Sequence, residues 1–328
     1  MPPRILLIHT GGTLGMGPSG EPSSLAPGPS LEGILDQVPE LAQLADLRLE
    51  VPFNQDSATL EPDHILTLAS LIREHSEGCQ GVVVIHGTDT MAFTASVLGF
   101  LLSDLGIPVV LTGAQRPLAY VRSDARGNLV DAVELATCGV PEVGICFGEH
   151  WLRGVGAEKA SVHQFEAFLS PNIPPLADLG LHVRIHTHAG AFPRHLPQGL
   201  GQRFESRIVV HTPFPGMAWP LPPDGTRGVL IQAYGAGNLP VMRSDLQTLF
   251  AHCRERECPV VLTSQCLSGG VDLGAYELGR LAAEQGVISG GLHTRWAALA
   301  KLGLTLGADW GLEAIREAFL TSWAGEPI

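Results

Sequence analysis

Two turns in the chain each carry a threonine beside a glycine, and a threonine hydroxyl can act as a nucleophile. Thr13 lies in the segment HTGGTLG at residues 9–15, and Thr88 lies in the segment HGTDT at residues 86–90. Glycines there allow positive φ angles and let a ligand approach the main chain closely. A hydroxyl attacks a carbonyl carbon efficiently only when another group takes its proton. The two turns therefore predict a site of nucleophilic catalysis if a base lies nearby.

Each turn also has a plain structural explanation. Thr13 could be a helix N-cap or part of a phosphate loop, although the glycine spacing around it matches neither the dinucleotide nor the Walker pattern. Thr88 or Asp89 could cap the helix predicted to begin at Thr90. One side chain is enough for a cap, whereas this turn supplies three, and an aspartate beside a hydroxyl can hold a basic partner. That surplus favours a functional site.

A lysine is the candidate base for these threonines. The chain has two lysines, Lys159 and Lys301, and Lys159 falls in the same predicted domain as the two turns. A lysine acts as a base only if burial or neighbouring charge lowers its pKa from about 10.4. Because most lysines are exposed, the sequence alone favours a surface position for Lys159.

Short apolar runs at residues 5–8 and 82–85 lead directly into the two turns. Continuous β-branched runs of this kind are typical of parallel strands buried on both faces of a sheet. If the strands are parallel, both turns and the pair Asp56 and Ser57 converge at the carboxyl edge of one sheet, the usual ligand crevice of α/β proteins. Strands are predicted at 4–9, 46–51, 81–86, 107–112 and 142–147, and helices at 31–45, 61–77, 90–105 and 123–138.

The alternating pattern is interrupted by a stretch rich in proline and histidine at about residues 181–207. We therefore predict a larger N-terminal catalytic α/β domain over residues 1–185, a linker over 186–206 and a smaller C-terminal α/β domain over 207–328. In the C-terminal domain, strands are predicted at 207–212, 228–233 and 259–264, and helices at 244–256, 275–285, 295–301 and 312–323.

Composition excludes several functional classes. The net charge of −13 comes without a lysine or arginine cluster, which argues against a nucleic-acid partner. No window approaches the ~20 apolar residues of a membrane span, and the amino terminus does not resemble a secretion signal, so we expect a cytoplasmic protein that acts on a small, water-soluble ligand.

Cysteines and histidines do not indicate a metal centre. The six cysteines are scattered without metal-binding spacing, which favours buried free thiols. Four histidines, at positions 182, 186, 188 and 195, lack an acidic or cysteine partner close in sequence, so no metal site is predicted.

Several motifs resemble those of the bacterial-type L-asparaginases, above all the cytoplasmic type I branch. They occur in order and span nearly the whole chain, which makes the resemblance much more specific than any single motif. The resemblance implies two α/β domains, with a parallel sheet in the N-terminal domain and a flavodoxin-like C-terminal domain. The motifs are TGGTLGM at 10–16, HGTDTMA at 86–92, TGAQRP at 112–117, Lys159, FEAFLSPN at 165–172, AYGAGNLP at 233–240 and QCLSGG at 265–270.

The family resemblance implies hydrolysis of the side-chain amide of L-asparagine to aspartate and ammonia, without a metal or organic cofactor. Thr13 matches the family nucleophile. Thr88, Asp89 and Lys159 match a second triad, in which the aspartate holds the lysine and the lysine helps to activate the threonine or a water molecule. Substrate-binding roles fall on Asp56 and Ser57 for the α-amino and α-carboxylate groups, on Gly12, Gly87, Ala114 and Gln115 around the amide, and on Asn238.

One departure from the family concerns proton transfer. Many members place a tyrosine in the loop after the first threonine motif, but residues 17–30 contain none. Tyr276 is the candidate substitute, and the alternative is a tyrosine that only packs its helix. Since the family builds each site across subunits, Tyr276 and Asn238 are expected from a neighbouring chain of a homodimer or homotetramer.

Three rival functions stay open from the sequence. A glutaminase-asparaginase of broader specificity would use the same residues, because the two substrates differ by one methylene. The amidase subunit of a transfer-RNA amidotransferase shares the threonine and lysine motifs but carries an extra amino-terminal domain, whereas this chain reaches its first motif at Thr10. A non-catalytic amino-acid-binding module would keep Asp56 and Ser57 but would have no use for two threonines and a lysine.

Overall fold

A computed structural model describes residues 2–18, 25–27, 31–192 and 196–328 of the chain. The chain divides into two compact units, of which the first comprises Met1–Ser170 with Pro174–Arg194 and the second comprises Pro171–Ile173 with His195–Ile328. The division falls inside the stretch 186–206 for which the sequence predicts a linker.

The first unit is built on an eight-stranded sheet with helices packed against it. Strands β4, β1, β5, β6 and β7 are parallel in that order, and β8, β11 and β12 extend the sheet in antiparallel fashion. Two small hairpins, β2 with β3 and β9 with β10, lie outside it. The elements are β1 Arg4–His9, β2 Met16–Pro18, β3 Leu25–Pro27, α1 Leu31–Leu35, α2 Leu41–Leu44, β4 Asp46–Glu50, α3 Pro62–His75, β5 Gly81–Ile85, α4 Met91–Leu101, β6 Val109–Thr112, α5 Ala125–Ala136, β7 Val143–Phe147, β8 His150–Arg153, β9 Glu158–Lys159, β10 Phe168–Leu169, β11 Ala177–Leu179 and β12 Val183–Ile185.

Burial of the central strands explains their composition. Residues 5–8 of β1 and 82–85 of β5 have no exposed surface. Their β-branched and aliphatic side chains pack against helices on both faces, as parallel strands require. Strand β1 lies between β4 and β5, so the loops that follow all three strands emerge at the same edge of the sheet.

The second unit contains a four-stranded parallel sheet in the order β13, β14, β15 and β16. Two groups of buried apolar side chains pack on its faces. The prediction of two α/β domains, each with a parallel sheet, is thereby confirmed. The elements are β13 Ile208–His211, β14 Gly228–Ala233, α6 Ser244–Glu255, β15 Val260–Ser264, α7 Glu277–Glu284, β16 Ile288–Ser289, α8 Arg295–Gly307 and α9 Leu312–Phe319.

Three predicted helices differ from those in the structure. The helix predicted over 31–45 is two short helices, α1 and α2, because Pro39 between them lacks an N–H donor and disfavours helical geometry in the residue before it. Helix α8 continues past the predicted end at Lys301 to Gly307, since residues 302–306 are apolar or hydroxyl-bearing and buried. Helix α9 ends at Phe319 instead of residue 323.

Antiparallel strands at one end of the first sheet were absent from the prediction. Strands β8, β11 and β12 have only three or four residues each, too few for a recognisable period. Strand β12 lies in the proline- and histidine-rich stretch that suggested a domain boundary. Of the loop predicted over 15–30, residues 16–18 and 25–27 form a hairpin, and residues 19–24 and 28–30 lie outside the described residues.

A buried ion pair stabilises the carboxyl-terminal segment of the second unit. Lys301 Nζ donates to Glu326 Oε1 at 2.7 Å, and both side chains have zero exposure. The ammonium also donates to the Thr321 carbonyl and lies 4.5 Å from the centre of the Trp323 ring. Backbone N–H groups of residues 323 and 324 donate to the Glu326 carboxylate. Each charge therefore has the partners that a buried charge requires.

We expect Lys301→Met to destabilise the second unit by about 3 to 5 kcal/mol, because it leaves the Glu326 carboxylate buried without its cation. Arg203→Met is the matched control: Arg203 pairs with Asp309 on the surface, where the side chains are 53% and 68% exposed, and its loss should cost less than about 1 kcal/mol. Urea unfolding of both variants measures the difference. Equal losses would contradict the role given to burial.

Candidate active site

Three predicted catalytic residues meet at the carboxyl edge of the first sheet. Lys159 Nζ donates to Thr88 Oγ1 at 2.8 Å and to Asp89 Oδ1 at 2.6 Å. The lysine side chain is 15% exposed, whereas that of Asp89 is 65% exposed. The expectation that Lys159 is an ordinary surface lysine is therefore wrong. An aspartate at the rim holds the ammonium so that it points to the threonine hydroxyl.

The capping explanation for the second turn does not hold. Thr90 is the N-cap residue of α4, and its side chain makes no capping hydrogen bond. Its hydroxyl donates instead to the Ser57 carbonyl at 3.0 Å. Thr88 is bonded to Lys159, so two of the three polar side chains in this turn reach towards other segments of the site.

Three loops pack backbone to backbone at this edge, and glycine makes the contact possible. A Cβ atom added to Gly12 would lie 2.5 Å from the Gly87 nitrogen, and one added to Gly87 would lie 2.6 Å from the Ser57 side chain. Gly12 also has a φ of +95°, which favours glycine. The Thr10 carbonyl accepts from the Gln55 backbone N–H at 3.0 Å. The loops after β1, β4 and β5 thus form one rigid floor.

His86, which the sequence analysis gave no role, fixes the turn from below. It is buried, and its Nδ1 lies 2.7 Å from the Gly87 carbonyl oxygen, which requires a proton on Nδ1. Its Nε2 therefore accepts from the Thr94 hydroxyl at 3.0 Å. Burial lowers the pKa of His86 to about 4, so the ring is neutral at pH 7. The apolar run ending in a histidine next to Gly87 was the available signal.

Other predicted substrate-binding residues lie around the same floor. Asp56 is exposed and begins a short 3₁₀ helix over Ser57–Thr59, where its carboxylate accepts from the Ala58 N–H at 2.9 Å. Ser57 and Ala114 are buried. Thr13 is half-buried at the start of a 3₁₀ helix over Thr13–Gly15.

Gln115 uses its side-chain amide to hold a neighbouring loop. Its Nε2 donates to the carbonyls of Ser161 and Gln164 at 3.2 and 3.0 Å. Its backbone N–H donates to Asp124 Oδ2 at 2.8 Å. The loop that it holds directly follows Lys159.

Tyr276 and Asn238 belong to the second unit. Tyr276 precedes α7 and is 58% exposed, so it does not serve mainly to pack its own helix. Asn238 closes a tight turn by exchanging backbone hydrogen bonds with Tyr234.

No group of three potential metal ligands occurs among the residues that the structure describes. His186 has an acidic partner that its sequence neighbours did not indicate, since its Nε2 lies 3.1 Å from Asp178 Oδ2. His188 stacks on His186, and His195 lies outside the described residues. All six cysteines are free, and Cys79, Cys146, Cys253 and Cys258 are buried. Within the described ranges, no helix is long and apolar enough to cross a membrane.

Comparison with protein families agrees with this architecture. Residues 4–190 match the family model for the asparaginase N-terminal domain, and residues 220–319 match the model for the glutaminase/asparaginase C-terminal domain. The chain belongs to the asparaginase family. As a family member it is a hydrolase of amide bonds, and the prediction of an asparaginase-type enzyme is confirmed.

Individual relatives support the same assignment over the full length. L-asparaginase 1 of Escherichia coli is 35% identical, with 98% of this chain and 97% of that protein covered. The crystal structure of L-asparaginase I from Vibrio cholerae superposes with a TM-score of 0.85 at 31% identity and covers 99% of both chains. The glutamyl-tRNA(Gln) amidotransferase of Pyrococcus horikoshii has a component that is 31% identical over 99% of this chain and 76% of its own length. The resemblance to the type I branch is confirmed.

We expect stability to fall with acid because of His86. Its pKa is about 4 in the folded protein against an ordinary 6.5, so the unfolded chain binds the proton more readily. The contribution of the neutral ring is complete above pH 6.5 and is lost as the pH falls from 6.5 to 4, by about 3 kcal/mol in all.

Urea unfolding at pH 7 and pH 4 measures this loss in the native protein and in His86→Gln. His293, whose pKa is also lowered to about 4, is present in both proteins and cancels in the comparison. An equal loss of stability in the two proteins would contradict the assignment.

Proposed function

We propose that this asparaginase hydrolyses the side-chain amide of L-asparagine to L-aspartate and ammonia by acyl transfer to a threonine. The observation that carries the proposal is the contact of Lys159 with both Thr88 and Asp89 at a glycine-lined sheet edge. A solvated surface lysine has no such arrangement, and a module that only binds an amino acid does not need it. Full-length similarity to named L-asparaginases supports the substrate.

In the first half of the proposed reaction, Thr13 Oγ forms a bond to the amide carbon of the substrate. Its proton passes to the amide nitrogen, the carbon–nitrogen bond breaks, and ammonia leaves an aspartyl ester on Thr13. Negative charge develops on the carbonyl oxygen, and the backbone N–H groups of Gly12 and Gly87 are the proposed donors to it. One such donor contributes roughly 3 kcal/mol to the transition state in other enzymes.

In the second half, water attacks the ester and the bond from carbon to Thr13 Oγ breaks. Thr88 and Lys159 are the proposed path for the proton of this water, which returns to Thr13 as aspartate leaves. The Asp89 carboxylate offsets the cost of holding a lysine in a site that is largely removed from solvent. This division gives the two threonines different roles.

Substrate orientation is the proposed task of the remaining site residues. The exposed Asp56 carboxylate suits the α-amino group, and the Ser57 hydroxyl suits the α-carboxylate. The backbone of Ala114 suits the side-chain amide. Because asparagine and glutamine differ by one methylene, worth only ~1 to 3 kcal/mol, some glutaminase activity is compatible with this site.

We also propose that the enzyme acts in the cytoplasm as a homodimer or homotetramer whose sites are completed by Tyr276 and Asn238 of another subunit. Large apolar side chains of the second unit support self-association, since Met242 is 73% exposed and Phe214 is 63% exposed. Tyr276 would carry the proton from Thr13 to the leaving nitrogen.

Replacing either threonine should abolish ammonia release. We expect Thr13→Ala and Thr88→Ala each to lower kcat by roughly 10³-fold or more, because each removes a group of the reacting set. The control is Thr67→Ala, whose hydroxyl only bonds the Asp63 carbonyl on an exposed helix face. Ammonia release is measured with L-asparagine, D-asparagine and L-glutamine. Full activity in both site variants would sink the mechanism, and an inactive native chain would favour a binding module.

Tyr276→Phe tests proton transfer across subunits. We expect kcat to fall by roughly 10²-fold, the usual worth of a positioned acid–base group, with little change in stability because the side chain is exposed. Sedimentation of the active enzyme is measured alongside. Unchanged turnover would exclude Tyr276 as the proton carrier, and a fully active monomer would exclude a site built across subunits.

A further inference from the structure

We propose that Gln115 is a positioning residue that holds Lys159 in place, and that it acts through the loop at residues 160–167 instead of through the substrate. Its effect on turnover rests on the proposed function. Its effect on the loop does not.

Both amide hydrogens of Gln115 are already used within the protein. They point to the carbonyl oxygens of Ser161 and Gln164, which can only accept hydrogen bonds, so this orientation of the amide is the one that satisfies its partners. A side-chain amide has two N–H groups, and neither is left to stabilise an oxyanion. This geometry favours an anchoring role for Gln115 over the substrate-binding role suggested by the family resemblance.

Gln115 is itself held rigidly by the amino-terminal end of α5. Its backbone N–H donates to Asp124, and the next N–H, of Arg116, donates to the same carboxylate at 3.0 Å. Asn128 donates to the Gly113 carbonyl at 2.9 Å and to Asp124 at 3.2 Å. The turn after β6 therefore provides a fixed point from which the amide can hold a neighbouring loop.

The loop needs such a fixed point because its own hairpin is minimal. Strand β9 has two residues, and Lys159 pairs with Phe168 at its end. Beyond it, the backbone N–H groups of residues 160 and 161 both donate to the Ala167 carbonyl. The Ser161 hydroxyl accepts from the N–H groups of residues 163 and 164. These bonds close the loop on itself, and the Gln115 amide joins it to the sheet edge.

A shift of this loop would move Lys159 Nζ relative to Thr88, while Asp56 and Ser57 are held by other loops. Rate depends steeply on the placement of reacting groups, and a displacement of about 1 Å can cost roughly 10²-fold. A positioning role therefore predicts a loss in kcat, whereas loss of a substrate contact would appear mainly as a rise in KM.

The test uses Gln115→Met, which removes both donors at nearly constant size, and Gln115→Glu, which turns carboxylate oxygens towards two carbonyls. Gln43→Met is the matched control, since Gln43 is exposed on α2 of the same unit. Hydrogen–deuterium exchange of peptides covering residues 160–168 reports the loop in the full chain. Ammonia release from L-asparagine gives kcat and KM across pH.

We expect faster exchange at residues 160–164 in both Gln115 variants, and a fall in kcat of roughly 10- to 100-fold with KM changed by less than about 3-fold. The pH profile of kcat should shift, because Lys159 is no longer held against Asp89. The control should match the native protein in exchange and in rate.

Native-like exchange in both Gln115 variants would overturn the proposal. So would a rise in KM at unchanged kcat, which would return Gln115 to substrate binding. If the native chain released no ammonia, the proposed function would fail, and the exchange measurement would still decide whether Gln115 anchors the loop.

Discussion

Contact between Gly12 and Gly87 is the constraint on which the candidate site depends. Two loops from neighbouring parallel strands lie so close that a Cβ atom on Gly12 would overlap the Gly87 backbone. Such an approach places backbone N–H groups from separate segments side by side, where side chains would otherwise keep them apart. The same contact brings the loop of Thr13 next to the loop of Thr88. The rigid floor therefore follows from two missing side chains.

A partly buried lysine imposes the second constraint. Removing an ammonium from water is costly unless an opposite charge or acceptors compensate. Asp89 and Thr88 provide this compensation, and Asp89 remains largely exposed, so water still screens the pair. Lys301 shows the other solution within the same chain, because it is completely buried and has a completely buried carboxylate as its partner. The two lysines of the chain thus occupy opposite environments, one suited to chemistry and the other to stability.

Much of the fold could be predicted from the chain because its central strands are buried on both faces. The runs at residues 5–8 and 82–85 have to be apolar throughout, so they stand out from any amphipathic helix. Helix α3 was also well predicted, since a proline at its start and an alternating apolar face mark its limits. Strands β8, β11 and β12 were missed because three or four residues do not establish a period. The helix predicted over 31–45 was wrong at Pro39, where a local rule outweighed the apolar pattern.

The sequence by itself determined the family, the parallel sheets and the identity of the reactive groups, because ordered motifs and continuous apolar runs are local properties of the chain. Only the tertiary structure decided what those groups do to one another. Lys159 has the sequence signature of a surface lysine until the hairpin of β9 and β10 brings it against a turn some seventy residues away in sequence. His86 and Gln115 acquire their roles in the same way, since each is defined by carbonyl oxygens that it contacts. Hydrogen bonds of this kind depend on distance and direction in space, and neither is written in the order of residues.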